Sequence, residues 1–198
     1  VQGAYRFLKR FWHAVHAHAL SGAVPALDAR SLDGPQKDLR RKTHQTIGKV
    51  SDDIGRRYTF NTAIASVMEL MNAVGRFDDR SDQGRAVVQE ALDAAVLLLS
   101  PIVPHISHHL WQVLGHRTAA VDERWPGADE AALVQDVVEI VVQVNGKLRG
   151  RISISADADK EAISAMALAD ENVRRFVADK NIRKTIVLPE RRLVNVVV

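Results

Sequence analysis

The 198 residues are 46% apolar and 26% charged, the composition of a globular chain with material for one large core or two small ones. There is no cysteine, which excludes a disulfide framework, a thiolate zinc site and a cysteine nucleophile and fits a cytoplasmic location; no apolar run approaches the roughly 20 residues of a membrane span, and Val1 to Arg6 lack the layout of a signal peptide. The net charge is only +3, and the whole excess falls late: residues 1–136 hold 16 Lys/Arg against 16 Asp/Glu, whereas 137–198 hold 11 against 8, a bias compatible with a phosphate-bearing partner.

Helical periodicity dominates the first part. Tyr5, Leu8, Trp12, Val15 and Ala19 recur at three- and four-residue steps, and Gly22 is placed to end that helix. Asp33 followed by Gln36 reads as a capping-box variant opening a second helix through Leu39, Ile47, Val50 and Ile54. Asn61 is placed to cap a third, carrying Ile64, Val67, Met68 and Met71, with Gly75 just beyond its end. Phe77 to Gly84 is polar and reads as a loop; a fourth helix runs through Val88, Ala91, Leu92, Ala95, Val96 and Leu99 and stops at Pro101, and Pro104 starts a short fifth that Gly115 closes. Five amphipathic helices with short connections predict an antiparallel bundle over 1–116.

Residues 117–136 are aperiodic and contain Trp125-Pro126-Gly127, which reads as a linker. Beyond it the period falls to about two. Two β-branched runs, 139–144 and 147–154, flank Asn145-Gly146, the pair that a type I′ hairpin turn favours because both central residues need positive φ. A helical stretch over 159–178, broken near Asp170, precedes two further strands at 183–188 and 193–198. The order ββ–α–ββ makes 137–198 a small domain, and the fold class α+β.

Among candidate chemistry, His105, His108 and His109 lie at helical spacing, yet no intervening glutamate and no clear third ligand accompany them, so packing histidines are the better reading than a zinc centre. No Gly-x-Ser-x-Gly and no Gly-rich phosphate loop occurs, and no catalytic residue, metal or cofactor is expected in these residues. The cations carry more information. Lys42, Lys49 and Arg56 are seven apart and form one ridge roughly 20 Å long; Arg40, Arg41 and Arg57 add charge beside it. Lys147, Arg149 and Arg151 alternate along one strand, which predicts that all three leave the same face of the hairpin. Arg183-Lys184 and Arg191-Arg192 cluster around the second hairpin. Aligned like charges repel without an anionic partner. With 5% aromatics the chain is too poor in rings for a single-strand stacking platform, so the backbone and shape of a folded RNA are the favoured target. A protein–protein module with a solvated basic face is the alternative.

Leu98 to Ile106, continued to Leu110-Trp111, resembles the Leu-x-Pro-x-x-Pro-His…Leu-Trp segment in the helical anticodon-binding domain of class I synthetases for aliphatic amino acids. Tyr5 to Trp12, Asp52-Asp53-Ile54, Phe60 to Ala65 and Met68 to Asn72 resemble the first three helices of that domain. Val142 to Arg149, Ile182 to Pro189 and Leu193 to Val197 are similar to the tail of bacterial leucyl-tRNA synthetases, with Pro189-Glu190-Arg191-Arg192 departing from the family's Pro-Gly-Lys. The resemblance covers essentially the whole chain in order. It implies a monomeric tRNA(Leu)-binding portion of an enzyme that joins leucine to tRNA with ATP and Mg, in partnership with catalytic and editing domains. Neither the His-Ile-Gly-His nor the Lys-Met-Ser-Lys-Ser signature of that catalytic core occurs here, so no aminoacylation is expected of these residues alone. It further implies a bundle that leaves the anticodon unread, and a C-terminal domain that reaches the outer corner of the tRNA near its long arm. Lys147, Arg149, Arg183 and Lys184 are then the leading RNA contacts, followed by Lys42, Lys49 and Arg56, with Arg151, Arg191 and Arg192 as further candidates.

Overall fold

A computed structural model describes residues 2–134, 137–156, 158–178 and 181–198. The chain divides into two compact units, Val1–Val134 and Gln135–Val198.

The first unit is built on five helices, α1 (Gln2–Leu20), α2 (Gly34–Gly55), α3 (Phe60–Arg76), α4 (Asp82–Leu99) and α5 (Pro104–Val113). α1 ends ahead of Gly22, whose φ of +93° turns the chain away. α2 opens on the expected reciprocal cap: Asp33 accepts from the Gln36 N–H at 2.9 Å, and the Gln36 carboxamide oxygen accepts from the Asp33 N–H at 3.0 Å. α3 starts earlier than expected, after Thr59 rather than at Asn61, and Gly75 lies inside its last turn. The cause lies upstream, where Tyr58 takes a positive φ of 54° and the Asp53 carbonyl accepts from the Thr59 N–H at 2.8 Å. Phe11, Leu70, Leu92, Leu98, Leu99 and Leu110 are fully buried at the centre, each contributing about 1.5–3 kcal/mol through removal of apolar surface from water.

Residues 117–134, expected to be a linker, pack onto this bundle. Ala120 belongs to the core, and a short helix, α6 (Glu130–Leu133), follows. The Trp125 indole donates to the Ser51 hydroxyl at 2.7 Å, the Arg40 guanidinium to the Asp129 carboxylate at 2.7 Å, and the Asp129 N–H to His44 Nδ1 at 3.0 Å. These are side-chain bonds to α2 made by an aperiodic segment, which is why no hydrophobic period announces them. Residues 135 and 136 of the expected linker lie outside the described residues.

The second unit places α7 (Lys160–Ala169) and α8 (Glu171–Val177) on one face of a four-stranded sheet. The helices divide at Asp170, as expected, because its carboxylate caps α8 by accepting from the Val173 N–H. The strands are β1 (Val137–Val144), β2 (Lys147–Ser155), β3 (Lys184–Leu188) and β4 (Leu193–Val197), in the order β2-β1-β4-β3. β1 runs parallel to β4 and antiparallel to β2, and β3 pairs antiparallel with β4. Ile140, Val142, Val144, Ile152, Val194 and Val196 face the helices with Ile163, Ala167 and Val173. Asn145 and Gly146 take φ of 49° and 76°, the pair of positive values that a type I′ turn requires.

Candidate nucleic-acid interface

The cations on α2 are held by carboxylates. Lys42 Nζ lies 2.9 Å from Glu69 on α3, Lys49 Nζ 2.9 Å from Asp53, and Arg56 pairs with Asp52. Arg40 meets Glu90 and Asp129, Arg41 meets Asp38, and Arg57 meets Asp53. The Asp53 carboxylate is buried and collects three donors, from Lys49, Arg57 and Thr59. Hydrogen bonds from Arg56, Lys49 and Lys42 hold the carboxyls of Asp52, Asp53 and Glu69 below their ordinary range. The ridge expected from the seven-residue spacing is therefore a row of ion pairs. The geometry behind it was readable, since Asp52 lies four residues before Arg56 and Asp53 four after Lys49.

The hairpin cations do not share a face. Val142 pairs with Gly150 but Gln143 pairs with Leu148, so Arg149 is an extra residue in β2, a β-bulge. One inserted residue reverses the alternation beyond it. Lys147 stands opposite Val144, whose side chain enters the helix-facing core, while Arg151 stands opposite Val141 on the other face and pairs with Glu139 at 2.9 Å. Arg149 turns to the helix side, its guanidinium carbon 3.9 Å from the centre of the Phe176 ring on α8, a cation–π contact. Gly150 beside it is obligatory for close approach. A Cβ there would lie 2.7 Å from the Asp170 carboxylate and 3.0 Å from Val173.

The register places three of the expected residues at one end of the sheet, with Lys147 on the helix-facing side and Lys184, opposite Val197, on the other. Lys147 pairs with Val144, Val144 with Val196, and Val196 with Thr185, so Lys147 and the start of β3 occupy one end of the sheet. Arg183 and Lys184 lead into β3 there, the Arg183 N–H donating to the Val197 carbonyl at 2.8 Å. Four strands span roughly 14 Å. All three side chains are exposed, and among the described residues none has a carboxylate within ion-pair distance. The end is stiffened by Asn195, whose side chain accepts from the Gly146 N–H at 3.0 Å, and by Asn145, which accepts from the Val198 N–H at 3.1 Å. Arg191 and Arg192 sit at the opposite end, on the 3-10 turn Pro189–Arg191 and the left-handed residue after it.

Several histidines pack, whereas His13 and His105 are exposed. His109 stacks on Trp12 with centroids 4.5 Å apart, and His116 on Trp111 at 3.5 Å. His116 also bonds Asp93, whose carboxyl is pushed up by burial. Among the described residues no group of three or more His, Asp or Glu is placed to hold a metal ion, and no helix is long and apolar enough to cross a membrane.

α1 carries basic side chains that stand outside the expected set. Arg6, Lys9, Arg10 and His13 follow at i, i+3, i+4 and i+7, all exposed, opposite the buried Phe7, Phe11 and Val15. No Asp or Glu occurs before Asp28. That absence was the available signal, and summing charge over 136 residues hides it.

Residues 36–164 match the family described as the anticodon-binding domain of tRNA ligase. The chain is 63% identical over 198 residues to the leucine–tRNA ligase of Thioalkalivibrio sulfidiphilus, covering all of this chain and 24% of that protein. It is 62% identical over 197 residues to the leucine–tRNA ligase of Chromohalobacter salexigens, with all of this chain and 23% of that protein covered. The chain thus spans about a quarter of the length of the curated relatives it matches. A solved structure, the LeuRS–tRNA–LeuAMS ternary complex of Agrobacterium radiobacter K84, is similar over 99% of this chain and 25% of its own, at 25% identity and a TM-score of 0.78.

Proposed function

Since the chain belongs to the family of anticodon-binding domains of tRNA ligases, we propose that it is the tRNA(Leu)-gripping portion of a leucine–tRNA ligase, orienting the tRNA for leucylation by catalytic residues that lie outside these 198. In this reading the parent is a cytoplasmic monomer, ATP and Mg act at that catalytic core, and the present residues contribute position. Holding two reactants in register can remove several kcal/mol of a barrier. The identity of 63% along the whole chain to one leucine–tRNA ligase supports the family assignment of the substrate.

The observation that carries the reading within this chain is the sheet end where Lys147, Arg183 and Lys184 all lie, exposed and without carboxylate partners among the described residues. Such cations meet phosphates by releasing counterions, which makes binding steeply salt-dependent. A cation already joined to a carboxylate yields less, because the partner is repelled as the phosphate arrives. Lys147, Arg183 and Lys184 are accordingly the principal contacts, Arg149 a support that Phe176 orients, and Lys42, Lys49 and Arg56 secondary. Arg151, Arg191 and Arg192 stand apart from the principal group.

The test is a filter-binding series comparing tRNA(Leu) with a tRNA that lacks the long arm, from about 50 to 200 mM salt. Preference for tRNA(Leu) with a steep fall in affinity is the expected result. Weak binding that hardly changes with salt would instead favour a protein-interaction module with a solvated basic face.

A further inference from the structure

We infer that the depression between α1 and α3 is a second RNA seat, taking one backbone phosphate and its nucleoside from the folded RNA; the inference rests on the tRNA-holding function proposed above. Arg10 of α1 and Arg76 at the end of α3 stand on its rim, with Asn72 between turns, and Phe7, Phe11 and Met71 form an apolar floor. The depression measures about 380 Å³, within the range of sites that hold small organic ligands. Two guanidinium groups suit a phosphate because each presents a planar fork of donors. A carboxamide beside them supplies both a donor and an acceptor for a ribose or a base edge.

Three observations select an RNA backbone as the occupant. First, Arg6, Lys9 and Arg10 continue the cationic rim along one exposed face of α1, with the His13 imidazole beside them, so an extended polyanion can follow it beyond the depression. Second, no carboxylate occurs in the first 27 residues, and among the described residues neither Arg10 nor Arg76 has an ion pair. Glu69, two turns before Arg76 on α3, is already taken by Lys42 at 2.9 Å. Third, the arrangement is the reverse of α2, where each ridge cation is held by an acid. Residues 1–27 hold three Lys/Arg and no Asp/Glu, a local charge of +3 equal to that of the entire chain.

Gly75 permits a test that changes shape without changing charge. It lines the depression, and a Cβ added there meets no atom within 4 Å, so Gly75→Leu adds apolar bulk at a position with room for its Cβ, and the thermal melt checks that the fold is kept. The experiment measures binding of a tRNA(Leu) transcript to the 198-residue protein across a salt series, with a thermal melt for each variant. Gly75→Leu is expected to weaken binding severalfold with no loss of thermal stability. Arg10→Ala with Arg76→Ala is expected to weaken it about tenfold and to lower the salt slope by roughly 1–2, whereas Arg10→Lys with Arg76→Lys keeps most of the slope because the charge remains. Wild-type affinity and slope in both Gly75→Leu and the double alanine variant would overturn the seat while leaving the tRNA-holding function standing. Absence of tRNA binding by the unaltered protein would overturn both. Competition by polyglutamate as strong as that by tRNA would assign the face to an acidic protein segment and overturn RNA as its occupant.

Discussion

α2 and the sheet module both display cations at a regular sequence spacing, and they differ in what lies within reach of each charge. On α2 an acid stands one helical turn away from Lys49 and from Arg56, and α3 supplies Glu69 to Lys42. At the sheet end, Lys147, Arg183 and Lys184 lie in or just before the two outer strands, and among the described residues none has an acid within ion-pair distance. Periodicity predicts alignment, and availability depends on the neighbours. A ridge of cations is an interface only where the i±4 positions are free of carboxylates and no packed helix supplies one.

The largest effect expected from this contrast is on RNA binding. Lys147→Glu combined with Lys184→Glu should weaken tRNA(Leu) binding by about tenfold or more and lower the log–log salt slope by roughly 2, with an unchanged circular-dichroism spectrum. Wild-type affinity in a gel-shift titration would erase the distinction between the two regions.

The next effect is on the scaffold that aims the sheet end. Gly150→Val forces a side chain into Asp170 and Val173 and should cost about 1–3 kcal/mol, as overpacking does, with loss of the Arg149–Phe176 contact. The denaturant midpoint of the C-terminal unit checks it. An unchanged midpoint would mean that the bulge tolerates α8 at a greater distance.

The smallest effect is confined to acid. Hydrogen bonds and charges from Arg56, Lys49, Lys42, Gln36 and Arg40 hold the carboxyls of Asp52, Asp53, Glu69, Asp79 and Asp129 below their ordinary range. A group whose folded pKa is depressed stabilises the fold above its unfolded pKa, about 4, and that contribution disappears as pH falls through the folded value. Asp93, raised by burial, has the opposite sign and loses stability as pH rises from its unfolded pKa to its folded one. With five groups against one, the bundle should melt at lower temperature below about pH 4. Trp12, Trp111 and Trp125 all lie in the first unit, so tryptophan fluorescence follows the bundle alone. A flat midpoint between pH 5 and 3 would contradict the paired state of α2.

Much of the fold was legible because its signals are local. The Asp33–Gln36 cap, Gly22, the two prolines flanking α5's start and Asn145-Gly146 each act within a few residues, and the structure uses each as expected. The packing of 117–134 was not legible, because Trp125, Asp129 and Ala120 reach the bundle singly rather than at a period. The bulge at Arg149 was equally silent: nothing in Lys147-Leu148-Arg149-Gly150-Arg151 marks which residue is unpaired, and one inserted residue is enough to turn Arg151 to the other face. For the candidate interface, residue type was legible and grouping was not. Arg183 and Lys184 reach the same end of the sheet as Lys147 only through the parallel pairing of β1 with β4, a contact between segments some 50 residues apart. The cations of α1 escaped because acids farther along the bundle cancel them in any sum over that unit.

The most direct measurement sets the two regions against each other. One protein carries Lys147→Ala, Arg183→Ala and Lys184→Ala, the other Lys42→Ala, Lys49→Ala and Arg56→Ala, and each is titrated with tRNA(Leu) from about 50 to 200 mM salt. The first should lose roughly 2–3 from the magnitude of the salt slope, and the second should lose less than about 1. Equal losses, or a greater loss from the α2 variant, would contradict the claim that freedom from carboxylates decides which cations meet RNA.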